Sequence, residues 1–259
     1  MTDRVSEADS DVSVRFATGG RGLFDVLLAA FCGLLLISNV AATKLIEFTG
    51  VPVLGSIITD GGAFLFPLTY VFGDVLAEVY GLSRARRAIL TGFVLSLVMS
   101  VCFLVVGVTP AASGWSLTEG WTSEQSQSAW VAVLGFVPRI VLASLCGYVV
   151  GQFLNAWVLV VVKRRMRENS VWFRLVSSTV VGEFADTLLF CSIAFGPLGA
   201  WMGGGSIAPL DLLNYTLVGW VYKCLVETLC LPVTIPVIRW VKRREPDYYG
   251  ATVSPDRRR

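Results

Sequence analysis

Residues 63–108 read AFLFPLTYVFGDVLAEVYGLSRARRAILTGFVLSLVMSVCFLVVGV. Two apolar runs, about 63–81 and about 88–108, flank a short segment carrying Arg84, Arg86 and Arg87. The second run holds no charge, and an apolar stretch beyond roughly 18 residues reads as a membrane-spanning helix. The first run reads the same way, except that Asp74 and Glu78 sit inside it. Basic residues at the shared end of two spans mark a cytoplasmic turn. Acids inside a span mark a site, because an ionisable group in hydrocarbon is normally paired, hydrated or functional.

The pattern extends in both directions. The other spans are expected at about 23–46, within 130–162, at about 174–196 and at about 213–241. Pro138 is expected to separate a short lead-in from the fourth helix, since an internal proline removes a backbone bond. Segments 47–62, 109–129 and 197–212 contain no Lys or Arg. The N-terminal segment, 82–88, 163–170 and the C-terminal tail hold nearly all the basic residues. This strict alternation requires an even number of spans with both termini cytoplasmic, and six fits. The expected fold class is therefore an all-α integral membrane protein of six helices in the inner (plasma) membrane. Its expected divisions are a disordered tail at 1–20, a transmembrane domain at 21–244 and a charged tail at 245–259.

Composition agrees. Of 259 residues, 54% are hydrophobic and 15% charged, with mean hydropathy +0.68; a soluble domain carries about 25% charged residues. A soluble enzyme, a DNA-binding module and a disulfide scaffold are all disfavoured. The absence of histidine excludes His-ligated metals, His-based triads and a histidine proton relay. The six cysteines lie in apolar runs without C-x-x-C spacing and read as small buried hydrophobes. Asp3, Glu7, Asp9 and Asp11 precede the first apolar run, unlike the basic start of a signal peptide.

Six spans divide as three plus three, the geometry of an inverted repeat. The second helix of each half carries a carboxylate pair one turn apart, Asp74/Glu78 and Glu183/Asp186. Those spacings put each pair on one helix face, and both pairs are expected to face the bundle interior. Lys44 and Arg139 lie towards the outer ends of their spans and are expected to snorkel. Lys223 and Glu227, four apart, are expected to pair. Five intramembrane acids against three bases leave some carboxylates protonated, hydrated or available to a ligand. Asn39, Thr43, Thr69, Tyr70, Ser144, Gln152 and Asn155 add polarity around them. Gly147-x-x-x-Gly151 is a small-residue pattern that reads as a helix contact. Pro67, Pro232 and Pro236 either free carbonyls for a cavity or only kink their helices. The set predicts a polar, slightly acidic cavity within the bundle.

These residues also carry a resemblance. The run Phe66 to Gly81 with Ala85-Arg86 resembles the signature of the queuosine precursor transporter family, also called the vitamin uptake transporter family. Val137-Pro138-Arg139-Ile140, Gly151-Gln152, Ser178-Thr179 through Glu183 and Asp186-Thr187, and Tyr222-Lys223 with Glu227 follow in the family's order, from about Asn39 to Pro236. Asn155 stands where many members carry aspartate, and Glu183 where others carry glutamine. The resemblance implies an importer of 7-deazaguanine precursors of queuosine, preQ0, preQ1 or queuine. A carboxylate accepts two neighbouring N–H donors of such a base, and Phe66, Tyr70, Phe184 and Trp220 are candidate stacking partners.

Asn39, Lys44, Tyr70, Asp74, Glu78, Arg139, Gln152, Asn155, Glu183, Asp186 and Lys223 are the candidate substrate-binding residues. Glu183 and Asp186 are expected to hold the base edge. Asp74 and Glu78 are expected to form a second acidic site or a proton-coupling pair. No metal and no cofactor is expected, and proton coupling and a homo-oligomer are both left open. The expected partners are the small-molecule base and anionic lipid at the basic loops, without nucleic acid. Two other readings remain: a substrate-binding membrane subunit of a multi-component vitamin importer, and a Mg²⁺-dependent membrane enzyme acting on lipid. No P-loop motif is present for a nucleotide-driven step within the chain.

Overall fold

Helix α1 (Phe24–Ala41) is apolar nearly all round, yet only Phe31, Cys32 and Asn39 are buried in it. A helix of that kind has its remaining surface in lipid. The computed structural model describes residues 22–52, 55–165, 171–203 and 205–245, so the expected N-terminal tail, the expected C-terminal tail beyond Glu245 and most of the 163–170 loop lie outside the described residues. After α1 come strands β1 (Leu45–Val51) and β2 (Gly55–Asp60) and a 3-10 turn at Gly61–Phe64. Helices α2 (Phe66–Val108), α3 (Ser123–Leu134), α4 (Val137–Arg165), α5 (Val171–Ala194) and α6 (Pro209–Arg244) follow, with a second 3-10 turn at Pro197–Met202.

Among the described residues, three stretches are long and apolar enough to cross a membrane: Phe24–Ala41, Ser83–Val108 and Ser123–Asn155. A fourth is α6 taken as one span bent by 50° between Cys230 and Pro232, where the proline breaks the backbone ladder. The chain is thus a helical, multi-pass membrane protein. Two further runs carry the acids: Phe66–Tyr80 is short and includes Asp74 and Glu78, and α5 includes Glu183 and Asp186. Leu90, Val94, Leu97, Val98, Val101 and Val105 of α2 are all more than half exposed, a continuous apolar surface fit only for hydrocarbon.

Several boundaries differ from the sequence reading. The two runs of 63–108 are joined as one helix broken at Gly81, whose φ of 82° and ψ of 164° are open to glycine and disfavoured for other residues. The first span ends at Ala41, and residues 45–60 form an antiparallel hairpin where a loop was expected, so the protein is not wholly helical. The reason lies in the segments LIEFTGV and GSIITD, whose β-branched and aromatic residues suit a pleated ribbon. Part of the expected 109–129 loop is helix, because Thr122 and Gln125 form a reciprocal capping box at the start of α3. Gly135 then separates α3 from α4, just ahead of Pro138.

Packing follows small residues and hydrogen bonds. A Cβ on Gly151 would stand 2.8 Å from the Asp186 Cβ and 2.9 Å from the Gly182 carbonyl oxygen. One on Gly182 would stand 2.8 Å from the Asn155 Cβ. Helices α4 and α5 therefore touch backbone to backbone along Gly147, Gly151 and Gly182, the helix contact expected of that pattern. The hairpin docks on α6 through Asn214, whose Oδ1 accepts from the Ile58 N–H (3.1 Å) and whose Nδ2 donates to the Ser56 carbonyl (2.9 Å). The amide thus satisfies both backbone groups of an otherwise open strand edge.

Two apolar clusters frame the interior. One joins Ile58 of the hairpin to Ile140, Ala143, Cys191, Phe195 and Tyr215. The other joins Phe31 and Cys32 to Leu76, Ala85 and Ala88. At the far end of α6, Glu245 Oε1 accepts from the Leu23 N–H (2.6 Å) and the Tyr80 hydroxyl (2.5 Å). That carboxylate caps an orphan amide at the positive end of α1 and ties α1, α2 and α6 together.

Candidate functional site

A cavity of about 680 Å³ opens between the helices, within the roughly 300–1,000 Å³ usual for small-ligand sites. Both apolar clusters contribute to its walls. Its acids come from separate elements: Asp60 from the hairpin, Asp74 from α2, Glu183 and Asp186 from α5, and Glu227 from α6. Arg86 and Lys223 are the lining bases among the described residues. Carboxylates exceed cations there, but Glu78, Lys44 and Arg139 of the expected set do not line the cavity, while Asp60 and Arg86 do.

Lys223 is central to this arrangement. Its ammonium contacts the Asp186 carboxylate directly and lies 3.7 Å from Glu183 Oε2. It also sits 5.5 Å from the centre of the Phe66 ring, where the π face attracts a cation. The expected pairing with Glu227 is therefore replaced: spacing along α6 permits it, but α5 presents two carboxylates at closer range. Glu227 instead lines the cavity together with Tyr70 of α2. Glu183 Oε2 is buried and has no hydrogen-bond partner.

Of the eleven candidate residues, the cavity gathers Asn39, Tyr70, Asp74, Gln152, Asn155, Glu183, Asp186 and Lys223. Asn39 is fully engaged, donating to Ser96 Oγ (3.2 Å) and accepting from Ser144 Oγ (3.4 Å), so it knits α1, α2 and α4. Three candidates fall elsewhere. Lys44 is exposed beside the hairpin, away from the cavity wall. Glu78 is exposed and takes the Lys242 ammonium at 2.8 Å, so the interior orientation expected for it does not hold. It lies one turn further along α2 than Asp74, near the break at Gly81, where the end of α6 supplies a cation.

Arg139 corrects the snorkelling expectation. It is 1% exposed, and its guanidinium donates to the carbonyls of Ile193 (2.7 Å), Gly196 (2.7 Å) and Gly203 (2.8 Å). The planar fork binds several carbonyls at once, including one in the last turn of α5, where a cation meets the negative end of the helix. Arg139 holds the 3-10 segment in place. Phe184 and Trp220 likewise stay out of the cavity wall: their rings pack edge to face at 5.3 Å, and the indole N–H donates to the Val180 carbonyl (3.0 Å). Phe66 and Tyr70, 5.5 Å apart, are the candidate stacking rings that remain in it.

Sequence reasoning missed Asp60 and Tyr222. Asp60 Oδ2 accepts from the Tyr215 hydroxyl (2.5 Å) and Oδ1 from the Gly62 N–H (2.6 Å). Burial pushes the Asp60 carboxyl above the usual range, against the pull of these hydrogen bonds. Its signal was faint: an aspartate before two glycines reads first as a turn. Tyr222 donates to the Ala63 carbonyl (2.9 Å) and closes the wall between α6 and the 3-10 turn; it had been noted only as a motif neighbour of Lys223.

Several spans around a largely apolar compartment with charged groups set in its wall is an architecture suited to a solute transporter. Comparison with known proteins narrows the class. The family model described as "Putative vitamin uptake transporter" matches residues 60–237, and the chain belongs to that family. A "Probable queuosine precursor transporter" of Bacillus subtilis (strain 168) is 29% identical over 169 residues, 64% of this chain and 67% of that protein. The "Queuosine precursor transporter" of Escherichia coli (strain K12) is 28% identical over 170 residues, 65% and 67% of the two chains. A "Probable queuosine precursor transporter" of Haemophilus influenzae (strain ATCC 51907 / DSM 11121 / KW20 / Rd) is 32% identical over 135 residues, 52% and 51% of the two chains. No solved structure is a significant match.

Proposed function

We propose that the chain is a secondary carrier importing 7-deazaguanine precursors of queuosine across the inner membrane. The observation that carries this reading is the cavity, on which carboxylates of the hairpin and of α2, α5 and α6 converge, in a chain whose named relatives are queuosine precursor transporters. A deazaguanine offers neighbouring N–H donors on one edge, and a carboxylate accepts two of them side by side. Asp186 holds Lys223 in direct contact, whereas Glu183 Oε2 lies 3.7 Å from that ammonium and makes no hydrogen bond, so Glu183 is the acceptor for that edge. Phe66 and Tyr70 lie in the same wall and suit the flat face of the ring. The amides of Gln152 and Asn155 on α4 complete the polar surface.

Asp74 and Glu227, from α2 and α6, form a second acidic site in this reading, suited to an aminomethyl cation or to a coupled proton. Six spans with both termini cytoplasmic, built as three plus three, accommodate the alternation of basic and bare segments. The chain works as a carrier and not as an enzyme.

The test is tRNA modification in a bacterial strain that neither makes nor imports the precursors. Expression of this protein, with nanomolar preQ0, preQ1 or queuine in the medium, restores queuosine in tRNA for at least one base. Failure with all three, with the protein present in the membrane, overturns the proposal.

A further inference from the structure

Buried hydroxyls in these helices are hydrogen-bonded as a rule, Ser126 by accepting from the Leu117 N–H (3.0 Å) and three others by donating along the helix. Ser96 donates to the Gly92 carbonyl (2.9 Å), Ser100 to the Ser96 carbonyl (2.8 Å) and Thr216 to the Leu212 carbonyl (2.8 Å), each four residues back along its own helix. This back-bonding is the default for a helical hydroxyl away from water. Thr187 breaks the rule. It is 2% exposed, and its Oγ1 has no hydrogen-bond partner, neither the Glu183 carbonyl four residues back nor any side chain. Thr234 is also unpartnered, but it stands between the two prolines of α6 and does not line the cavity. Thr187 does line it.

The surroundings show how the side chain is set. A Cβ on Gly219 of α6 would meet the Thr187 methyl at 3.2 Å, so the methyl faces α6. The hydroxyl is turned elsewhere and has no hydrogen-bond partner among the described residues. One turn back on the same helix, Glu183 Oε2 is also buried in the cavity wall without a hydrogen bond among the described residues, with the Lys223 ammonium 3.7 Å away. Residues four apart on a helix have Cβ atoms about 5–6 Å from each other. An unmade buried hydrogen bond is unfavourable, so two on one face are explained by a partner that arrives from outside the chain.

We propose that Thr187 is a substrate-binding and specificity-determining residue, its hydroxyl acting with the Glu183 carboxylate as a two-point reader of one edge of a planar heterocycle. This rests on the reading of the chain as a carrier of 7-deazaguanine bases. An ionised carboxylate can only accept, whereas a hydroxyl donates as well. Glu183 therefore takes the ring N–H and the amino group, and Thr187 donates to the neighbouring ring carbonyl. A base with an amino group in place of that carbonyl has no N–H on the adjacent ring nitrogen, so the Glu183 carboxylate meets a lone pair and Thr187 can only accept, and the base is rejected as an analogue that leaves a buried group unpaired.

The test uses the purified full chain in detergent, with 7-deazaguanine binding measured by calorimetry for wild type, Thr187→Val, Thr187→Ser and Thr187→Ala. Valine keeps the shape and removes the hydroxyl. Serine and alanine both lose the methyl, and only serine keeps the hydroxyl, so this pair isolates the hydroxyl even where packing suffers. The expected result is that Val and Ala weaken binding by about tenfold, the scale of one buried hydrogen bond, while Ser stays close to wild type. The ligand-free melting temperature of Thr187→Val is expected not to fall, because no bond in the empty protein is lost. Unchanged affinity in Val and Ala, with wild type binding normally, overturns this proposal alone. Equal weakening in Ser and Ala also overturns it, since packing is then the cause. Absence of binding by wild type of 7-deazaguanine and of preQ0, preQ1 and queuine overturns the carrier reading as well.

Discussion

Lys223 is held by what surrounds it on the neighbouring helix. Its ammonium neutralises Asp186 and approaches Glu183, while its own helix offers only Glu227, one turn away. Removing one member of a largely buried ion pair leaves the other charge uncompensated, a loss of about 3–5 kcal/mol for a fully buried pair and less for this one, which is one-fifth exposed. Lys223→Met is expected to lower the melting temperature in detergent. The double variant Lys223→Met/Asp186→Asn removes both charges and is expected to regain most of that loss. A double variant no more stable than the single one would show that the pair does not hold these helices. Sequence alone set Lys44 and Arg139 to snorkel and Lys223 to pair with Glu227. Their partners are carboxylates for Lys223 and carbonyls for Arg139, while Lys44 is left exposed beside the hairpin. These are differences of environment, and residue type does not encode them.

At the scale of elements, the site depends on how closely α4 and α5 approach. Gly147, Gly151 and Gly182 let the backbones meet, and this contact holds Asp186 against α4 and towards Lys223. Gly151→Val puts atoms where the Asp186 Cβ and the Gly182 carbonyl already are, and overpacking of that kind typically destabilises by about 1–3 kcal/mol. The expected outcome is a lower melting temperature together with weakened uptake, since the helix that carries Glu183 and Asp186 must move. Full uptake and wild-type stability would contradict the packing. The glycine pattern was legible because its spacing is local to one helix. The hairpin was not, because its strands are short and interrupted by Gly50, Pro52 and Gly55, which read first as loop. Asn214 completes it from more than 150 residues away.

Across the whole molecule, the cytoplasmic side in this topology is drawn together by Glu245, which binds the start of α1 and Tyr80, and by the Lys242–Glu78 pair. Six spans with both termini cytoplasmic predict the outcome of reporter fusions. A periplasm-active reporter joined after residue 122 is expected to be active, and the same reporter joined after residue 244 inactive. Equal activity at both positions would rule out this topology. The sequence by itself determined that the chain is a multi-pass membrane protein, that its basic and bare segments alternate, and that acids lie inside the apolar runs. Hydropathy and loop charge are sums over short windows, so no knowledge of packing is needed to read them. Only the tertiary structure decided that Asp74 faces the cavity while Glu78 turns to Lys242, that Arg139 fastens a loop, and that Asp60 and Thr187 join the wall. Those outcomes depend on how each helix is rotated and how near its neighbours come, and contacts between residues far apart in the chain set both.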